Sequence, residues 1–326
     1  MTSIRVDATP RMMTDRSVGS PLAPDALPTN VLGAREVRVS VRAASVNPVD
    51  WKLRDVVGLR LVHGLLGPKG RFVCGIDFAG VVTEVGPAAR GVSVGDPVVG
   101  AVDFGRRQRG AYASEVVVRD VQVAVLPAHV DLYAAACLPT AGATAHKALF
   151  DRGGLGAIRG GNVLVLGASG GVGHLAVQLA RNHGARVVGV SSSRNTPLVA
   201  RLGATPIAHD EGDVFERAAA LGPFDVVVNG VDTVRYPIAR VARLLTAHGR
   251  HVLLAPRPLD FASLVRPSIS TLVVLPTRQV LEPLVRALAD GTLEVVISGR
   301  FRLDDAEQAQ QRSRAGNVVG KIVLEV

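Results

Sequence analysis

Asn162 to Leu166 (NVLVL) runs directly into Gly167, Ala168, Ser169, Gly170, Gly171, Val172 and Gly173, and few folds can use such a run. A short apolar strand that enters a glycine-rich turn and leaves as a helix is the context that gives a dinucleotide fingerprint its meaning. Gly167 permits the tight turn, Gly170 and Gly171 let the backbone approach a pyrophosphate, and Gly173 lets helix and strand pack closely. The helix amino terminus, with Ser169 and Val172 in the same turn, offers N–H groups and a positive dipole end to phosphates.

Strand and helix patterns alternate after this turn: helix His174 to His183, strand Arg186 to Val190, helix Pro197 to Leu202, strand Asp225 to Asn229, helix Tyr236 to Leu245, strand His251 to Leu254. Such alternation implies a parallel, doubly wound sheet. Upstream, Val37, Val39 and Val41 alternate with Arg38, Ser40 and Arg42 over Glu36 to Val46, the period of a half-buried strand. Short valine-rich runs between Gly75 and Val118, broken by glycines, have the texture of a small antiparallel barrel. Downstream are a helix around Leu281 to Ala289, a strand Leu293 to Ile297, a helix from Asp304 and a last strand Lys321 to Val326, expected to return to the first domain. The expected division is 1–126 for a β-rich domain, with 1–30 an irregular arm, 127–270 for the nucleotide domain, and 271–326 for the return.

The second strand of a dinucleotide domain that selects NAD usually ends in an acidic residue that grips the ribose hydroxyls. Here Val190 is followed by Ser191, Ser192, Ser193 and Arg194. Serine hydroxyls and an arginine suit a 2′-phosphate, so Ser192, Ser193 and Arg194 predict NADPH, that is NADP(H), as the cofactor; the alternative is a solvated loop.

The formal charge is +9, but Arg106, Arg107 and Arg109 form the only tight basic cluster and few aromatics lie near it, which argues against nucleic acid. No stretch approaches the roughly 20 apolar residues of a membrane span, and no signal peptide is evident, so a cytosolic protein is expected. Cys74 and Cys137, the only cysteines, lie in no CxxC pair, and all eight histidines read as non-metal.

Four further blocks, Ala43 to Lys52 (AASVNPVDWK), Gly75 to Gly100, Leu138 to Ala145 (LPTAGATA) and Asn317 to Val326 (NVVGKIVLEV), together with the glycine turn, resemble the zinc-independent medium-chain dehydrogenase/reductases, the quinone oxidoreductase and enone reductase branch. The resemblance covers about the last nine tenths of the chain. It implies an α/β protein with a GroES-like β-rich catalytic domain and a Rossmann domain, paired as a homodimer through valine-rich segments such as Leu272 to Leu275. By motif matching, the zinc ligands of the alcohol dehydrogenases fall on Asn47, Ile76 and Thr140, of which Ile76 cannot bind a metal; no metal is expected, and Thr140 is assigned to the cofactor.

Without a Lewis acid, the task implied is reduction of an electron-poor C=C of an α,β-unsaturated carbonyl, or of a quinone, as small-molecule substrate. The charge developing on the carbonyl oxygen needs a donor, and Asn47 and Lys52 are the candidates. Lys52 reads as oxyanion donor or, if desolvated, proton donor, against the alternative of a surface lysine whose stem covers the barrel. Asp50 either orients Lys52 or caps the following helix. Trp51 and Phe78 read as packing. Two other functions stay open: a biosynthetic tailoring reductase and a non-catalytic NADPH-binding scaffold.

Overall fold

The computed structural model describes residues 11–15, 20–28, 31–55 and 72–326. Strands β1 (Arg11–Thr14) and β2 (Ala23–Ala26) pair as an antiparallel hairpin. The described part of the arm expected to be irregular is therefore a hairpin; residues 1–10, 16–19 and 29–30 of that arm lie outside the described residues. Four-residue strands, one containing Pro24, carry too little alternation to be read locally. Tertiary contacts fix them instead: Met12 and Met13 are buried, and the Met13 N–H donates to Tyr112 O at 2.8 Å.

The next strands are β3 (Glu36–Val46), β4 (Asp77–Val85), β5 (Pro97–Ala101), β6 (Glu115–Arg119) and β7 (Val123–Val125). The alternation along β3 holds to Val41, where a bulge interrupts its pairing with β4; from Ala43 to Val46 every residue is buried. Ala43 faces the helix Leu132–Ala136, while Ala44 and Val46 join a second cluster with Met13, Tyr112 and Ile322.

The nucleotide sheet comprises β8 (Asn162–Leu166), β9 (Arg186–Ser191), β10 (Thr205–Ala208), β11 (Phe224–Asn229), β12 (Leu245–Leu253) and β13 (Ile269–Thr271). They are all parallel, in the order β10-β9-β8-β11-β12-β13. That order reverses direction between β8 and β11, and the crevice at their carboxyl ends is where such sheets take ligands. The last two strands, β14 (Ile297–Arg302) and β15 (Lys321–Glu325), leave this sheet and extend the first one, in the order β14-β15-β3-β4-β5-β7, with β6 also on β3.

Several local expectations change. β10 and the helix Val214–Ala219 carry short, weak patterns and were not anticipated. The helix expected over Tyr236 to Leu245 shrinks to Ile238–Ala242, because Leu245 already begins β12. Leu293 to Val296 is not strand: the Gln178 amide takes the place of a strand partner, accepting from Glu294 N at 2.7 Å and donating to Glu294 O at 2.9 Å. The segment Leu272 to Leu275 is likewise not strand, since β13 stops at Thr271.

One apolar cluster spans both sheets, running from Ala43, Ala79 and Val99 through the helices Leu132–Ala136, Pro139–His146 and Arg278–Ala289 to Val163, Val165 and Val226. Burial on this scale, at about 25 cal/mol per Å² of apolar surface, holds the two halves together. Among the described residues, no helix is long and apolar enough to cross a membrane.

His251 in β12 is buried, and neither ring nitrogen has a hydrogen-bond partner among the described residues. Burial depresses its pKa from 6.5 to about 4. The unfolded chain therefore takes up a proton first as pH falls, and folded stability is lost below about pH 6.5, by about 2 kcal/mol at pH 5. His251→Leu is expected to be at least as stable at pH 7.5 and to lose less between pH 7.5 and 5, as read by urea denaturation. Equal losses in the two proteins would refute the assignment.

Candidate active site

The register of β15 on β3 builds the site. Ile322 pairs with Val46 and Val323 with Ser45, which places Lys321 opposite Asn47, where β3 gives way to the helix Pro48–Asp55. Lys321 is only 3% exposed, and its ammonium donates to Asn47 Oδ1 at 2.5 Å and to Val46 O at 3.2 Å. The Asn47 amide passes the contact on: Nδ2 donates to Asp77 Oδ2 at 3.0 Å and to Ser45 Oγ at 3.3 Å. The Ser45 hydroxyl donates to the same Asp77 oxygen at 2.9 Å. Thr140, in the first turn of the helix Pro139–His146, donates its hydroxyl at 2.6 Å and its N–H at 3.1 Å to Asp77 Oδ1. Burial pushes the Asp77 carboxyl upward in pKa, while the Lys321 ammonium and the Thr140, Asn47 and Ser45 donors pull it down.

This arrangement changes the reading of Asn47. Its amide nitrogen is directed at Asp77 and Ser45 and its amide oxygen at Lys321, so it bridges two buried charges rather than extending a donor toward substrate. Asp50 does not orient Lys52. Its Oδ2 accepts the Asn47 backbone N–H at 2.7 Å and the Tyr112 hydroxyl at 3.1 Å, which closes the first turn of the helix. With Oδ1 unpartnered among the described residues, burial raises the Asp50 carboxyl to about 7.

Lys52 sits half-buried on the wall of a cleft of about 640 Å³, its ammonium 5.6 Å from the Trp51 ring centroid and without a hydrogen-bond partner among the described residues. Asn47, Thr140 and Lys321 line the same cleft, as do Gly167, Gly170, Gly171, Val172 and Gly173, and a Cβ on Gly171 would lie 3.3 Å from the Lys321 Cδ. The glycines are required by geometry. Gly167 has φ +84°, in the left-handed region, and a Cβ on Gly173 would lie 2.0 Å from Gly167 O. Val172 precedes the helix Gly173–Asn182, whose amino terminus points phosphate-binding N–H groups at the cleft. Ser169 O accepts the Gly320 N–H at 2.7 Å, so the approach to β15 is fastened to the glycine turn itself.

Ser192, Ser193 and Arg194 lie just beyond β9 and do not line the cleft. Asn195 joins their turn to the glycine turn by donating from Nδ2 to Ser169 Oγ at 3.2 Å. The Ser192 hydroxyl is buried without a partner among the described residues, Ser193 is engaged by Asp210, and Arg194 is exposed. The glycine turn at the mouth of the helix Gly173–Asn182 is an arrangement that suits a dinucleotide's phosphates.

Lys321 and Asp77 were missed as site residues. A charge beginning an otherwise apolar strand (KIVL) and one inside GIDFAGVV were signals in the sequence, because such groups are buried only with partners. Removing the Thr140 hydroxyl in Thr140→Val, at nearly constant volume, leaves Asp77 one donor short. A stability loss of about 1–3 kcal/mol is expected by urea denaturation, and an unchanged midpoint would show that the bond contributes nothing.

The comparisons with known proteins bear on the family and the fold. Residues 33–128 match the alcohol dehydrogenase GroES-like domain and residues 202–324 the zinc-binding dehydrogenase family. The chain is 31% identical over 306 residues to the chloroplast envelope quinone oxidoreductase homolog of Arabidopsis thaliana, covering 90% of each. It is 30% identical to the trans-enoyl reductase pgmF of Aspergillus terreus, over 91% of this chain and 88% of the other. The quinone oxidoreductase of Coxiella burnetii superposes with a TM-score of 0.85 at 28% identity, covering 97% of this chain and 99% of that one. Members of this family bind a nicotinamide cofactor, and the glycine turn fits one. The chain thus belongs to the medium-chain dehydrogenase/reductase family of oxidoreductases, in its quinone oxidoreductase-like branch.

Proposed function

We propose that the chain is a cytosolic, zinc-independent, NADPH-dependent reductase of electron-poor C=C bonds in α,β-unsaturated carbonyls, or of quinones. The observation that carries this reading is the Lys52 ammonium, without a hydrogen-bond partner among the described residues, in the same cleft as the glycine turn. The bound nicotinamide supplies a hydride. Lys52 donates a hydrogen bond to the substrate oxygen on which negative charge develops, and then holds or delivers the proton that completes reduction. Asn47, fixed between Lys321 and Asp77, shapes the floor of the cleft, and Thr140 and the glycine turn seat the cofactor.

The family description names zinc, and the donor set argues against that metal here. Asn47 Oδ1 faces an ammonium at 2.5 Å, and the Thr140 hydroxyl is given to Asp77 at 2.6 Å. Among the described residues no group of three or more His, Cys, Asp or Glu could hold a metal ion. No step is routed through one.

The trans-enoyl reductase among the relatives favours a second reading, a biosynthetic reductase of one dedicated enoyl substrate. The domain limits 126/127 and 270/271 and a reducing compartment, supported by the free Cys74 and Cys137, belong to the same proposal. So does a homodimer, supported by exposed apolar residues flanking the edge strand β13: Phe261, Val265, Val273 and Leu275.

Lys52→Ala is expected to lower kcat by about 10²–10³-fold with enones or quinones, measured as NADPH consumption, while NADPH binding by fluorescence is retained. Full turnover in the variant would overturn the role of Lys52, and absence of NADPH binding to the wild type would overturn the cofactor. Light scattering tests assembly: Val273→Glu should yield a monomer from a dimeric parent, and a monomeric parent would refute the pairing.

A further inference from the structure

The turn after β9 already holds an anion. Ser193 donates its backbone N–H to Asp210 Oδ1 and its hydroxyl to Asp210 Oδ2, each at 2.8 Å. Asp210 reaches this place from the neighbouring strand. Ala208, the last residue of β10, pairs with Ser191, and the His209 N–H donates to Ser191 O at 2.8 Å, so Asp210 emerges beside the turn. The hydrogen bonds from Ser193 hold its carboxyl below the ordinary carboxylate range, so it is charged at neutral pH.

In dinucleotide folds an acidic residue ending the second strand grips the ribose hydroxyls, and donors without that acid accept a 2′-phosphate. Here the second strand ends in serines, and the acid arrives from the third strand. Ser193 therefore offers two donors suited to a phosphate, and an internal carboxylate already occupies them.

We propose that Asp210 is the residue that sets the choice between NADPH and NADH. Its carboxylate competes with the 2′-phosphate for the Ser193 donors, and it accepts a ribose hydroxyl of NADH, so the wild-type preference for NADPH is narrow. Arg194 and Arg235 are the nearby cations for the phosphate. Arg235 is positioned by a 2.8 Å contact from Nη2 to the His209 ring. The inference rests on reading the glycine turn as the dinucleotide seat, with the adenosine end at Ser192 to Arg194.

The test is a fluorescence titration of the full chain with NADPH and with NADH, for the wild type, Asp210→Ser and Asp210→Asn. Asp210 is exposed, so both variants are expected to fold, and the isosteric Asn tests loss of charge without change of shape. The expected result is a rise of about tenfold in the ratio of the NADH Kd to the NADPH Kd in both variants. That rise should shrink at high salt, because the site is open to solvent. An unchanged ratio with both cofactors still bound would overturn the Asp210 assignment alone. Failure of the wild type to bind either cofactor would overturn the dinucleotide seat, and this inference with it.

Discussion

The carboxylate of Asp77 is the point on which the site depends. It accepts the Ser45 hydroxyl and the Asn47 amide from the end of β3, and the hydroxyl and N–H of Thr140 from the helix that joins the two halves. An ionised carboxylate taken out of water costs several kcal/mol and is tolerated only when its lone pairs are satisfied and a counter-charge is near. Lys321 supplies that charge through Asn47, not by direct contact. Asp77 and Asn47 are therefore each held from two sides.

The same contacts tie the two halves of the chain together. Lys321 touches the end of β3, while its neighbour Gly320 donates to the glycine turn. A shift of the glycine turn would be felt at Asn47 through two adjacent residues, Gly320 and Lys321. The apolar cluster beneath, shared by both sheets, opposes such a shift by close packing.

Features written in a continuous stretch were legible in the sequence. The NVLVL strand, its glycine turn and the alternation of β3 each carry their signal within about ten residues, and they appear where the pattern puts them. The hairpin at Arg11–Thr14 and Ala23–Ala26 was not legible, since its strands are defined by Tyr112 and Ser114 far along the chain. Asn47 was visible as a polar residue at a strand end and Lys52 through the AASVNPVDWK block, but the orientation of the Asn47 amide depends on Lys321, 274 residues away. Asp210 escaped for a related reason: it reaches the Ser193 turn by strand pairing, and no spacing rule along one strand describes that.

The pairing of β15 with the end of β3 also bears on how the chain matures as it is made. Residues Ala43 to Val46 leave the ribosome long before Ile322 to Glu325, so that edge of the first sheet stays open while the entire nucleotide-binding sheet is synthesised. Pairings of such long range are slow, and an unpaired apolar edge invites wrong partners meanwhile. The nucleotide sheet, made of consecutive units, can form first and carry β14 and β15 to the waiting edge. Completion of the cleft wall then waits for β15, and a nascent chain stalled short of Lys321 would hold the glycine turn without the Lys321–Asn47 contact.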